Sequence, residues 1–183
     1  MGRQELLSDV LDFARQNGIG EVSLRELAEF VGSSHRMLLY HFGSREGLLA
    51  AIVAHNEERE REIAAAYAEA GTAPIEALRE SWQRLRKSNR AGEERLFFEL
   101  AAMAMYRRPG TERLPDDLIE RWVEVARNAR VDAAQLRLDV AVIRGLLLDL
   151  LLTGDRKGTD AAFDRYLAAL ERDAVKANGI GTS

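Results

Sequence analysis

No stretch of this 183-residue chain alternates apolar and polar residues for long enough to make a half-buried β-strand, while apolar residues recur at three- and four-residue spacing almost from end to end. That period belongs to the α-helix, so an all-α fold is expected. Only three prolines interrupt the pattern, and a hydrophobic content of 46% is enough to build a sizeable core. The chain has no cysteine, which excludes disulfides, thiolate zinc sites, iron–sulfur clusters and cysteine nucleophiles. The N-terminal Met-Gly-Arg-Gln-Glu is not a basic segment followed by an apolar run, and the longest apolar stretch, 145–152, is broken by Asp149. That stretch is far shorter than the roughly 20 residues a membrane helix needs. A soluble intracellular protein is expected.

The N-terminal helices are delimited by local signals. Leu7, Val10, Leu11 and Ala14 form a stripe, widened by Leu6 and Phe13, on a helix expected over about 3–17. Ser23-Leu24-Arg25-Glu26 is a capping box, in which the serine oxygen and the glutamate three places on satisfy free amide donors. The short helix it opens, with Leu24, Leu27, Ala28 and Val31, stops at Gly32. Ser33 or Ser34 can cap a third helix through His41-Phe42, and Ser44 can cap a long one reaching about Ala70. In its middle, Glu57-Glu58-Arg59-Glu60-Arg61-Glu62 is expected to be a solvated face or the boundary between two cores. Further helices are expected at about 74–89, 92–107, 116–130, 133–153 and 159–176, with breaks at Ala91-Gly92, Pro109-Gly110, Pro115 and Gly154 to Gly158. Residues 178–183 are expected to fray.

Two short helices flanking a glycine turn form a helix-turn-helix, whose second helix can enter the DNA major groove. Between residues 33 and 45, Ser33, Ser34, His35, Arg36, Tyr40, His41, Ser44 and Arg45 are all donors to phosphate or base edges, with no carboxylate among them. From Leu6 to about Leu49 the sequence resembles the tetracycline-repressor (TetR) family. The resemblance is carried by Phe13-Ala14-Arg15-Gln16-Asn17-Gly18, Val22 to Ala28, Gly32-Ser33-Ser34 and Leu38 to Glu46. Leu39 stands where the family usually has a tyrosine, with Tyr40 one place later, and Ser33 replaces a common small apolar residue.

The resemblance implies a DNA-binding domain at 1–49, a helical effector-binding and dimerisation domain at 50–177 and a tail at 178–183. It places Ser23 and Arg25 at the phosphate backbone, Ser34, His35, Arg36 and Met37 at the start of the recognition helix, Tyr40 and His41 near its end, and Arg45 within reach of phosphate, with Ser33 also among the DNA-binding residues. Arg36 is the best candidate for a guanine edge, because its fork can bond two acceptors.

In the second domain, Trp82, Leu85, Phe97, Phe98, Met103, Tyr106 and Trp122 are candidates to line an effector pocket, with core filling as the alternative for each. Arg79, Arg86, Glu99 and Arg144 are candidate polar anchors. The apolar sets Ile143, Leu147, Leu150, Leu151 and Phe163, Tyr166, Leu170, on helices joined by a short connection, are similar to the paired helices through which the family forms four-helix dimer interfaces.

Neither a nucleophile–base pair nor a metal constellation assembles: no histidine stands three residues after a glutamate, and the phosphate-loop and nucleophile-elbow motifs are absent. An enzyme is not expected, and no cofactor is implied. The expected protein is a cytoplasmic bacterial regulator, a homodimer that binds double-stranded inverted-repeat DNA and responds to a small-molecule effector. The alternative is a helical interaction or sensing dimer whose helix-turn-helix no longer reads DNA, in keeping with Leu39 and the acidic surroundings. The formal charge of −4 bears on the mechanism. Through His55, five arginines face seven carboxylates, so nonspecific, salt-driven DNA affinity should be weak and binding should rest on a few well-placed donors.

Overall fold

The computed structural model describes residues 2–17, 22–108, 120–129 and 132–179, and every regular element among them is helical. Helix α1 (Arg3–Asn17) turns Leu6, Leu7, Val10, Leu11 and Phe13 inward, the stripe its apolar spacing predicts. Helix α2 (Leu24–Phe30) begins at a complete capping box: Ser23 Oγ accepts from the Glu26 amide at 3.3 Å, and the Glu26 carboxylate accepts from the Ser23 amide at 2.8 Å. Helix α3 (His35–Phe42) is capped by Ser34, whose Oγ accepts from the Met37 amide at 3.2 Å. Gly43 ends it at φ +76°, a conformation that favours glycine. Gly47 then passes so close to the end of α3 that a Cβ would lie 2.1 Å from the Phe42 carbonyl oxygen.

Helix α4 (Arg45–Glu69) is 25 residues long, which at 1.5 Å per residue spans roughly 37 Å. Its first half puts Leu48, Leu49, Ile52 and Val53 into a core with α1, α2 and α3. That core also takes Leu96, Phe97 and Leu100 from α6 (Ala91–Met105), so it reaches beyond the expected boundary at residue 49. Helix α4 crosses that boundary without a break.

A second core lies among α5 (Pro74–Leu85), α8 (Ala133–Thr153) and α9 (Arg156–Gly179), centred on Trp82, Ile143, Leu147, Phe163 and Leu167. The Trp82 ring stacks on Phe163 at 5.1 Å, and its Nε1 donates to Asp160 at 2.8 Å, which satisfies the indole's one polar atom. A 3-10 turn at Ser88–Arg90 replaces the last turn expected of the fifth helix. Helix α7 (Arg121–Ala129) packs on α4 and α8. The α8–α9 connection is only Gly154-Asp155, shorter than expected, because Asp155 accepts from the Gly158 amide at 2.9 Å and starts the last helix early. The expected breaks at Pro109-Gly110 and Pro115 lie outside the described residues, as do positions 180–183 of the expected tail; Asn178 and Gly179 belong to α9.

Candidate nucleic-acid interface and internal cavity

Helices α2 and α3 present one face of donors. Arg25, with 84% of its side chain exposed, touches Glu29 only at 3.8 Å, and His35 and Arg36 stand out from the first turn of α3. Arg36 forms no ion pair with any described residue, so its guanidinium is free to fork onto a base edge. Tyr40 is 80% exposed one turn on, while Leu39, at 37%, is only at the margin. Leu38 and Phe42 are buried and anchor the opposite side of α3. The separation is clean because 3.6-residue periodicity puts 38 and 42 on one side and 36 and 40 on the other.

Below this domain, α4 to α8 surround a cavity of about 330 Å³. Its walls are largely apolar: Val53 and Ala64 from α4, Leu78 and Leu85 from α5, Phe97 from α6, Trp122 and Val125 from α7, and Leu136, Val140 and Ile143 from α8. Five carboxylates also line it, Glu57, Glu60, Glu93, Glu94 and Asp139, with three arginines, Arg84, Arg90 and Arg144. Buried charges are costly unless paired and hydrogen-bonded, and most of these are tightly paired. Glu57 accepts from Arg144 at 2.7 Å and from the Trp122 indole at 2.8 Å, and Glu60 accepts from Arg84 at 2.6 Å and lies 3.0 Å from Arg90. Asp139 accepts from Tyr166 and Gln135, and burial, followed by this contact with Asp139, pushes the Tyr166 phenol up from its ordinary range.

Glu94 is the exception. Its nearest guanidinium, Arg90, is 3.7 Å away and is shared with Glu60 and with Glu93 at 3.3 Å. Burial, reinforced by the charges of Glu60, Glu57 and Glu93, pushes its carboxyl up to about 7 against the pull of Arg90. Burial also lowers Arg144 from its ordinary value, while Glu57 opposes that shift.

Residues 11–52 match the family model for bacterial regulatory proteins of the tetR family. This N-terminal domain belongs to the tetR family. The fold of the whole chain is also shared. A crystal structure of the multidrug binding protein EbrR complexed with proflavin has 25% identity and a TM-score of 0.62 over 89% of this chain and 98% of that one. A transcriptional regulator from Rhodococcus sp. Rha1 gives 19% and 0.68 over 94% and 97%, and a TetR-family transcriptional regulator from Pectobacterium atrosepticum 20% and 0.63 over 92% and 90%. No curated protein matches the sequence. TetR-family regulators are DNA-binding transcription factors and not enzymes, and no helix among the described residues is long and apolar enough to cross a membrane.

Within the TetR-type domain, the residues expected at DNA divide into two groups. Arg25, His35, Arg36 and Tyr40 are exposed donors, and Ser33 is half-buried beside them. Ser23 and Ser34 spend their side-chain oxygens on caps, and the Ser23 hydroxyl also donates to Glu26 at 2.7 Å. Met37 packs against the core. His41 lies edge-on to Tyr40 at 5.0 Å, with Nε2 buried and without a hydrogen-bond partner. Arg45 Nε donates to the Val22 carbonyl at 3.0 Å, so this arginine, expected at phosphate, pins the start of α4 to the segment before α2.

Of the residues expected to line a pocket, Leu85, Phe97 and Trp122 do so. Trp82 belongs to the second core, Phe98 packs between the cores, and Met103 packs on the N-terminal one. Tyr106, 78% exposed beyond the end of α6, has no pocket role because the helix stops before it. Among the polar anchors only Arg144 lines the cavity; Arg79 reaches Asp164 at 3.7 Å and Arg86 reaches Asp160 at 3.3 Å. The expected dimer set is corrected in part. Ile143, Leu147 and Phe163 are buried in the chain's own second core, Tyr166 and Leu170 pack on it, and Leu150 and Leu151 are half-buried. These helices have apolar residues on more than one side, and the stripe read as a partner face is the inner one.

The residues that sequence reasoning missed are the cavity's charges other than Arg144. The run at 57–62, expected to be a solvated face or the boundary between two cores, buries Glu60 and Arg61 at 8% and 3% exposure. A signal was present: 49, 53, 57, 60 and 64 continue one face of α4, so an apolar stripe becomes charged without leaving the interior.

Proposed function

We propose that the protein is a repressor that binds an inverted-repeat operator as a homodimer and leaves it when a small molecule fills the cavity. The observation that carries this is the path of α4, which packs against the recognition helix at one end and supplies Glu57 and Glu60 to the cavity wall at the other. A ligand that binds two placements of this helix unequally shifts their populations and so changes the separation of two recognition helices. Two major grooves on one face of B-DNA lie about 34–36 Å apart, so a small change in separation is enough to lose one of them. The complexes of EbrR with proflavin and malachite green support a ligand-binding role.

For the dimer, the outer face of α8 is the better candidate surface. Leu138, Leu148 and Leu152 are exposed at 49%, 40% and 77%, in register with exposed Ala141 and Gly145. Gly145 has open space where a Cβ would be, as a close helix crossing requires. Selection from random duplexes with purified protein should enrich an inverted repeat, and failure to enrich one at low salt would defeat the proposal. The double substitution Leu148→Glu, Leu152→Glu should give monomers by light scattering, and a persisting dimer moves the interface elsewhere.

A further inference from the structure

We propose that the cavity takes an organic cation with an apolar, aromatic-sized body, and that Glu94 is its counter-ion. This rests on the cavity being the ligand site proposed above. The volume suits a small molecule, and Trp122 and Phe97, the latter with the Arg144 guanidinium already over its ring, make the lining aromatic. The polar lining supplies the charge discrimination, since five carboxylates face three arginines.

Each carboxylate except Glu94 has a charged or hydrogen-bonding partner within 3.3 Å. On α4, Glu57 holds Arg144 and is 4.0 Å from Arg61, and Glu60 holds Arg84. On α8, Asp139 is held by Tyr166 and Gln135, and Arg144, besides its bond to Glu57, lies over the Phe97 ring at 4.7 Å. On α6, Glu93 is 3.3 Å from Arg90, the arginine that Glu94 meets only at 3.7 Å. Around the same cluster, Arg84 Nε and Arg90 Nε are buried without hydrogen-bond partners.

A cation seated beside Glu94 supplies the positive charge that Arg90 divides among three carboxylates. It favours the ionised carboxylate, so the bound state is cation plus carboxylate and the carboxyl proton leaves to solvent. With the free carboxyl near 7, affinity for a fixed-charge cation should rise about tenfold from pH 6 to pH 8, and about half a proton should be released per ligand at pH 7.

The test compares benzyltrimethylammonium with its uncharged isostere neopentylbenzene and with 4-tert-butylbenzoate, by calorimetry on the full chain in buffers of differing ionisation enthalpy. The cation should bind at least tenfold more tightly than the isostere, and Glu94→Gln should collapse that ratio and abolish the proton release. The pH profile of the unmodified chain checks the same linkage without a variant. Equal or better binding of the neutral or anionic probe overturns the ligand class while leaving the cavity a ligand site. A cation preference that survives Glu94→Gln overturns the counter-ion assignment, and absence of binding by all three probes overturns the whole inference. Operator binding is read separately: a cation that binds as expected but leaves operator affinity unchanged refutes the effector role and preserves the ligand class.

Discussion

Helix α4 passes through two interiors of opposite character. Around its first half, Leu48, Leu49, Ile52 and Val53 meet Leu6, Val10, Leu27 and Leu38 in a closed apolar core. Two turns further on the same face, Glu57 and Glu60 meet Arg144, Arg84 and Arg90 around open space. The first interior fixes one geometry for α2 and α3, since close-packed apolar cores resist deformation. The second is held by directional charge pairs and has room for another molecule, so its geometry can depend on what occupies it. A regulator needs both: a rigid reading head and a wall that responds.

The largest effect should separate the two interiors. Leu38→Ala, deep in the closed core, should cost about 3 kcal/mol in urea unfolding and weaken DNA binding as α3 loses its seat. Leu147→Ala already faces the cavity on one side and should cost about 2 kcal/mol or less, because fewer contacts are lost. Equal costs would mean that the cavity is effectively filled by its own walls.

Next is the pH dependence of the charged interior. With Glu94 raised from 4.5 to about 7, the folded state binds more protons than the unfolded one between those values, so stability falls as pH rises through that window. The cost at full ionisation approaches about 3 kcal/mol. Glu94→Gln should therefore raise the melting temperature clearly at pH 8 and little at pH 5. A gain that does not vary with pH would assign the effect to packing.

On the reading head, Arg36→Ala should relax preference at one base pair per half-site by about 1–3 kcal/mol with little change in stability. An unchanged base preference assigns that role to another exposed donor, His35 or Tyr40. The smallest effect belongs to the cap: Ser34→Ala should cost about 1 kcal/mol by leaving the Met37 amide without its side-chain acceptor. Hydrogen exchange at the first turn of α3 would show whether that loss stays local.

How legible each part was in the sequence follows from how local its physics is. The boundaries of α2, α3 and α4 could be read because Ser23, Ser34 and Ser44 cap amides only three residues away. The exposed Arg36 and Tyr40 could be read because helical period and the buried Leu38 and Phe42 fix each other. The cavity could not. Glu57 and Glu60 read as solvated because the arginines that hold them lie 87 and 24 positions away, and no spacing rule links such positions. Ile143 and Leu147 read as a partner face because apolar residues occur on more than one side of α8, and periodicity does not say which side faces the chain's own core.

By itself the sequence determined an all-helical chain, the helix-turn-helix with its caps, its family and the donors α3 presents, because these depend on neighbours within a turn or two. Only the tertiary structure decided that a charged stretch of α4 lines an internal cavity, that Arg45 serves as a strut, and that Glu94 lies 3.7 Å from an arginine it shares. Those outcomes depend on which distant residues share a desolvated space. There the energy of a charge is set by its partners and its burial rather than by its place in the chain.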